Sequence, residues 1–223
     1  MTEILPCVEI EPESGPVEGS VVWLHGLGAS GHDFEPIVPM LGLPQVRFVF
    51  PHAPSQPVTI NGGAVMPAWY DILTLDRSPD RESEPDIRRS ATLVEALLQR
   101  EKARGVPPGK TVLAGFSQGA AMAMHVGVRY PERLAGLMVL SGYRVLADTV
   151  AAERSEANQR TPVLMCHGLK DPVLPAELGR EARDAMREEM PEAEVRWMGF
   201  PIGHEVSPEE IEVVGGWLHE QLG

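Results

Sequence analysis

Six short apolar runs, each closing at or just before a Gly- or Pro-containing turn, constrain this chain more than any other feature. They are Ser20–Leu24 (Ser-Val-Val-Trp-Leu), Val46–Phe50, Thr111–Phe116, Leu134–Leu140, Pro162–Cys166 and Ala193–Phe200. Continuous apolar character over so few residues suits strands buried on both faces. Helical patterns lie between them. Asp86–Arg104 places Ile87, Ala91, Val94, Leu97 and Leu98 at helical spacing, and Gly119–Tyr130 is small and apolar almost all round. Pro175–Glu189 is charged on one side. Ser207-Pro208-Glu209-Glu210 supplies an N-cap, a first-turn Pro and acidic residues for a last helix ending near Gln221. This alternation predicts an α/β fold with a mostly parallel twisted sheet and helices on both faces. Cys7–Glu11 adds an edge strand, and Leu75–Pro85 reads as a polar surface loop. The 223 residues fit one domain, 1–223, without repeats or a large lid.

Charge and cysteine content exclude several functions. Nineteen Lys and Arg stand against 32 Asp and Glu, a formal net charge of -13. Such a surface repels phosphate backbones and anionic lipid, so neither nucleic-acid binding nor stable membrane insertion is expected. Two cysteines, Cys7 and Cys166, make neither a disulfide framework nor a Cys-based zinc site. Met1–Pro6 lacks a basic stretch followed by an apolar one, and no run approaches the ~18 residues of a membrane span. A cytoplasmic protein is the expectation.

Ligands in open α/β sheets bind beyond the carboxyl ends of the strands, and the chemically suggestive residues sit there. Gly115-Phe116-Ser117-Gln118-Gly119 matches G-x-S-x-G between an apolar strand and a helix opening with Ala120 and Ala121. That context makes it a nucleophile elbow. Glycines let strand and helix approach at the bend, and the helix N-terminus aims free N–H groups at the reacting atom. A Ser hydroxyl needs a base, and in this motif class the chain order is Ser, acid, His. His125 lies in the elbow helix, His167 precedes the best acid, and His219 lies in the terminal helix. His204, in a strand-to-helix turn after Gly203, is the candidate. Asp171 in Lys170-Asp171-Pro172 follows a strand end, whereas Asp148 and Asp184 do not. The loop His25-Gly26-Leu27-Gly28 offers one backbone oxyanion donor at Leu27, and the elbow a second at Gln118, whose side chain is not expected to take part.

Together these segments resemble the phospholipase/carboxylesterase family of small α/β-hydrolases, which includes bacterial carboxylesterases and acyl-protein thioesterases. The resemblance covers nearly the whole chain. It is carried by Leu24–Gly28, by Pro57–Gly63 with Met66–Asp71, by Gly115–Ala121, by His167–Val173 and by Gly203–Val206. Ser30 departs from it, because many members carry Asp there. The resemblance implies a triad of Ser117, Asp171 and His204, agreeing with the reading of the residues. The expected activity is a serine carboxylesterase acting on short- to medium-chain esters through an acyl-enzyme. The alternatives are an acyl-protein thioesterase or lysophospholipase and, from another class, a non-catalytic ligand-binding protein on a hydrolase scaffold. No metal and no cofactor is expected, and the partner is a small-molecule ester. Substrate-contacting candidates are Leu27, Leu73, Val173 and Ile202, with Trp69 either walling the pocket or packing in the core. A monomer or a homodimer fits the chain.

Overall fold

A computed structural model describes residues 4–76, 78 and 80–223. Met1–Glu3 of the N-terminal reading, and Arg77 and Pro79 of the Leu75–Pro85 loop, lie outside the described residues. The strands are β1 (Cys7–Ile10), β2 (Gly19–Leu24), β3 (Val46–Pro51), β4 (Ser55–Val58), β5 (Ala64–Pro67), β6 (Thr111–Phe116), β7 (Gly136–Leu140), β8 (Val163–Gly168) and β9 (Val195–Phe200). The helices are α1 (Val38–Leu41), α2 (Glu84–Ala103), α3 (Gln118–Gly127), α4 (Val150–Glu153), α5 (Ala176–Glu189) and α6 (Pro208–Leu222). Seven strands form one sheet in the order β1-β3-β2-β6-β7-β8-β9. Only β1 runs antiparallel, against β3.

The sheet is buried on both faces, and strand periodicity divides its side chains between two apolar layers. In β2, Val22 and Leu24 face the layer beneath α2, α3 and α5, while Val21 and Trp23 face the layer beneath α1 and α6. Small residues let α3 lie wholly buried: Ala120, Ala121 and Ala123 hold it close to the sheet. Ser207 caps α6, its Oγ accepting the Glu210 N–H at 3.2 Å.

From β2 the chain winds outward to β3, then returns to build β6 to β9 on the other side of β2. The crossover therefore opens at the carboxyl ends of β2 and β6, where ligands enter sheets of this kind. His25–Gly28 follows β2 and Ser117 follows β6, so the topology alone puts the glycine loop beside the elbow.

Several boundaries differ from the expectation. The strand read over Leu134–Leu140 begins only at Gly136, with Leu134 packed in the core before it. Helix α3 ends at Gly127 rather than Tyr130. Strand β8 runs on through His167 and Gly168. The β4–β5 hairpin was not anticipated: Ser55–Val58 and Ala64–Pro67 are mostly exposed and carry prolines, so no alternating apolar face marks them.

Candidate active site

Ser117 stands at the turn between β6 and α3 with φ 56 and ψ -118, a backbone state that L-residues rarely adopt. Two contacts hold it there. Its N–H donates to Leu140 O at 2.9 Å, and its carbonyl accepts the first helical bond from Ala121 N–H at 3.0 Å. The turn is closed by glycine: a Cβ on Gly115 would lie 2.2 Å from Gly119 O, and one on Gly119 2.3 Å from Leu24 O.

The Asp171 and His204 loops are stitched together by backbone. Leu169 N–H donates to Phe200 O at 2.7 Å, and Lys170 N–H to Ile202 O at 3.0 Å. The carboxylate of Asp171 is buried. Its Oδ1 accepts the N–H groups of Val173 and Leu174, both at 2.8 Å. Its Oδ2 faces His204 Nδ1 at 2.6 Å. A carboxylate partner assigns the proton to Nδ1, which leaves the Nε2 lone pair toward Ser117 Oγ, 2.9 Å away. The structure thus brings Ser117, His204 and Asp171 into one hydrogen-bonded chain. The arrangement can draw a proton from the hydroxyl onto His204 and hold the resulting imidazolium against Asp171. Phe116 packs tilted on the His204 ring at 4.9 Å between centroids. His167, set aside as the base because it precedes Asp171, supports the acid loop. Its Nε2 donates to Leu174 O at 2.8 Å, and burial holds its pKa below the ordinary value.

The glycine loop is pinned by His25. This buried imidazole has its pKa lowered by burial. Its Nε2 accepts the Ala53 N–H at 3.0 Å and its Nδ1 donates to Gly26 O at 2.7 Å. Gly28 N–H donates to Pro67 O at 2.8 Å. Ser30, the departure from the family pattern, keeps the turn closed: its Oγ accepts the His32 N–H at 3.3 Å. Among the described residues, the backbone N–H groups of Leu27 and Gln118 have no acceptor. Both residues line the same cleft as Ser117. The Gln118 side chain, to which the sequence assigned no chemistry, bridges the backbones of Trp69 and Tyr70.

A cleft of ≈ 490 Å³ opens over Ser117 and His204. Leu27 and Val173 line it, together with Ile60, Ile72, Leu174 and Leu178. The other three expected contacts do not reach it. Trp69 is fully buried, its indole N–H donating to His25 O at 2.8 Å, so it packs in the core. Leu73 is exposed, whereas its neighbour Ile72, bridged to Glu82, turns inward. Ile202 packs on the opposite layer, beneath α6, and serves the site through its carbonyl. Arg81 and Tyr143 line the same cleft, the Arg81 guanidinium lying 4.7 Å from the Tyr143 ring and pairing with Glu82 at 2.5 Å. Burial raises the Glu82 pKa to about 7 despite that partner. Tyr143 follows the carboxyl end of β7, so the strand-end rule that located Ser117 could also have found it. A larger hollow of ≈ 730 Å³, beside β1 and α1, contains none of these groups.

A parallel-sheet frame carrying Ser, Asp and His at strand ends in that chain order defines an α/β hydrolase. The chain belongs to the phospholipase/carboxylesterase family, whose model matches residues 5–221. Acyl-protein thioesterase 1 of Neurospora crassa is 36% identical over 91% of this chain and 86% of its own length. A probable carboxylesterase of Oryza sativa is 34% identical, over 91% and 77%. The crystal structure of Zea mays acyl-protein thioesterase 2 superposes with a TM-score of 0.84 at 29% identity, covering 98% of this chain and 99% of that one. Among the described residues no helix is long and apolar enough to cross a membrane.

Proposed function

We propose that this hydrolase cleaves acyl thioesters, and matched oxygen esters more slowly, through a Ser117 acyl-enzyme. The observation that carries the reading is the continuous hydrogen-bonded chain from Ser117 Oγ through His204 to buried Asp171, beside an open apolar cleft. Ser117 Oγ attacks the acyl carbonyl as His204 Nε2 takes its proton. The Leu27 and Gln118 N–H groups hold the oxyanion. Collapse breaks the bond to the leaving sulfur or oxygen, which receives the proton from His204. Water, deprotonated by His204, then releases the acid. Asp171 keeps the imidazole oriented and stabilises its charged form. Leu27 and Val173 contact the substrate from opposite sides of the cleft.

The sequence by itself favoured a carboxylesterase. The relatives move the weight to the thioesterase alternative, since several of those most similar carry that name. A non-catalytic binding role is disfavoured because all three groups are present and in contact.

The test is a matched pair, an S-acyl and an O-acyl ester of one fatty acid, assayed over graded chain lengths. The expected result is turnover of both, with the higher kcat/KM for the thioester. Preference for the oxygen ester at every length would return the reading to carboxylesterase.

A further inference from the structure

The charges lining the cleft are unequally paired, and the difference points to the chemistry of the leaving group. Beyond His204, two charged side chains line it among the described residues, Arg81 and Asp33. Arg81 is paired with Glu82 and covered by the Tyr143 ring, so its guanidinium is already engaged. Asp33 is exposed, its N–H donating to Ser30 O at 3.1 Å, and among the described residues no cationic side chain pairs with its carboxylate. The adjacent His32 does not neutralise it, because its Nδ1 is held by Glu35 at 2.7 Å.

The two ends of the cleft belong to different sides of the sheet. Ile60, Ile72, Leu174 and Leu178 pack with the layer beneath α2, α3 and α5, and form an uncharged wall suited to an acyl chain. Phe116 and Phe34 belong to the layer on the other side. His204 rests on Phe116, Phe116 lies 5.7 Å from Phe34, and Asp33 is the residue before Phe34. The leaving atom must come within reach of His204 Nε2 to collect its proton, so the leaving group lies toward Phe116 and Asp33. An exposed carboxylate and an aromatic ring lining one cleft are groups that attract an alkylammonium ion.

On the proposed acyl-transfer reading, we infer that Asp33 is a specificity residue selecting esters and thioesters whose leaving group carries a cation a few bonds from the reacting sulfur or oxygen. The net charge of -13 draws such substrates in.

The experiment compares butyrylthiocholine with S-(3,3-dimethylbutyl) thiobutyrate, in which a neutral carbon replaces the ammonium nitrogen at the same shape. S-ethyl thiobutyrate serves as an unbranched reference. The wild type is expected to favour the thiocholine ester by about 3–10-fold in kcat/KM at low ionic strength, with the ratio shrinking in about 0.5 M salt. Asp33→Asn should bring the ratio close to one, chiefly by loss on the cationic substrate. A wild-type ratio near one overturns the inference. So does a preference that Asp33→Asn leaves intact, or a parallel fall on both substrates, which would mark Asp33 as structural. Turnover of the reference but of neither bulky thioester rejects the Asp33 role alone. Turnover of none of the three removes the hydrolase reading and this inference with it.

Discussion

Gln118 Oε1 accepts the backbone N–H of Trp69 at 2.8 Å, and the same amide donates from Nε2 to Tyr70 O at 2.8 Å. The residue after the nucleophile thus pairs like a short strand with the segment that carries Ile72 into the cleft. Its side chain holds the segment that forms the acyl wall, while its backbone N–H is left for the oxyanion on the proposed mechanism. Gln118→Ala keeps the oxyanion N–H but leaves two buried backbone groups unpaired, at a cost of about 1–3 kcal/mol. The expected phenotype is a lowered urea midpoint and a raised KM for long acyl chains, with kcat falling less than the ~10²–10³ of a lost oxyanion donor. A kcat loss of that full size with an unchanged urea midpoint would contradict this division of labour.

Gly119 should tolerate no side chain. A Cβ there meets the backbone oxygens of Leu24 and His25 at 2.3 and 2.6 Å, and neither can rotate away. Gly119→Ala is expected to destabilise by on the order of 3 kcal/mol and to disturb the Ser117 turn, as read by calorimetry and esterase assay. A variant as stable and active as wild type would mean the elbow is looser than described.

Stability at the other end of the sheet rests on Glu101, which is fully buried. It accepts from Ser20 Oγ and from Arg47 and Arg104, each at 2.9 Å. Removing its charge leaves the guanidinium of Arg47, itself only 7% exposed, with the half-exposed Glu11 as its one remaining carboxylate among the described residues. Glu101→Gln should cost about 1–3 kcal/mol in denaturant unfolding. Ser20 and Arg47 lie at the amino ends of β2 and β3, far along the strands from Ser117. Turnover of the folded fraction should therefore stay close to wild type, and a selective loss of kcat without loss of stability would be the wrong outcome.

Glu210 gives the folded state a pH dependence. It is fully buried in the first turn of α6, and among the described residues neither carboxyl oxygen has a hydrogen-bond partner. Burial raises its pKa from 4.5 to about 8. Between those values the folded chain keeps a proton that the unfolded chain releases, so stability falls as pH rises. The contribution is complete below about 4.5 and is lost through about 8, a change on the order of 5 kcal/mol. Urea midpoints at pH 5 and about 8.5, at matched ionic strength, should converge in Glu210→Gln relative to wild type. Equal slopes in both proteins would remove Glu210 as the source.

Much of this architecture can be read from the chain because burial on both faces leaves continuous apolar runs, as in Val46–Phe50 and Thr111–Phe116. The order Ser117, Asp171, His204 was legible for a related reason: each follows a strand end, where a parallel sheet gathers its loops. What escaped the sequence depends on side-chain direction. Ile72 and Leu73 are interchangeable in hydropathy, and only the isolated bridge of Ile72 to Glu82 decides which one turns inward. Trp69 and Ile202 sit in loops close to the site, yet one fills the core beneath it and the other packs across the sheet. Arg81 and Tyr143 meet through a fold contact that no local pattern encodes.

The account stands on Ser117 as the nucleophile, and covalent labelling reads that directly. The protein is treated with a fluorophosphonate and the modified residue is located by peptide mass spectrometry, alongside Ser117→Ala. The expected result is one adduct per chain, on Ser117, formed in step with loss of turnover. Ser117→Ala should be folded, unlabelled and reduced in turnover on the order of 10⁶-fold, as for a triad serine in a comparable enzyme. An adduct on another residue, or a Ser117→Ala protein keeping more than about a tenth of wild-type turnover where a drop of that order is expected, would contradict it.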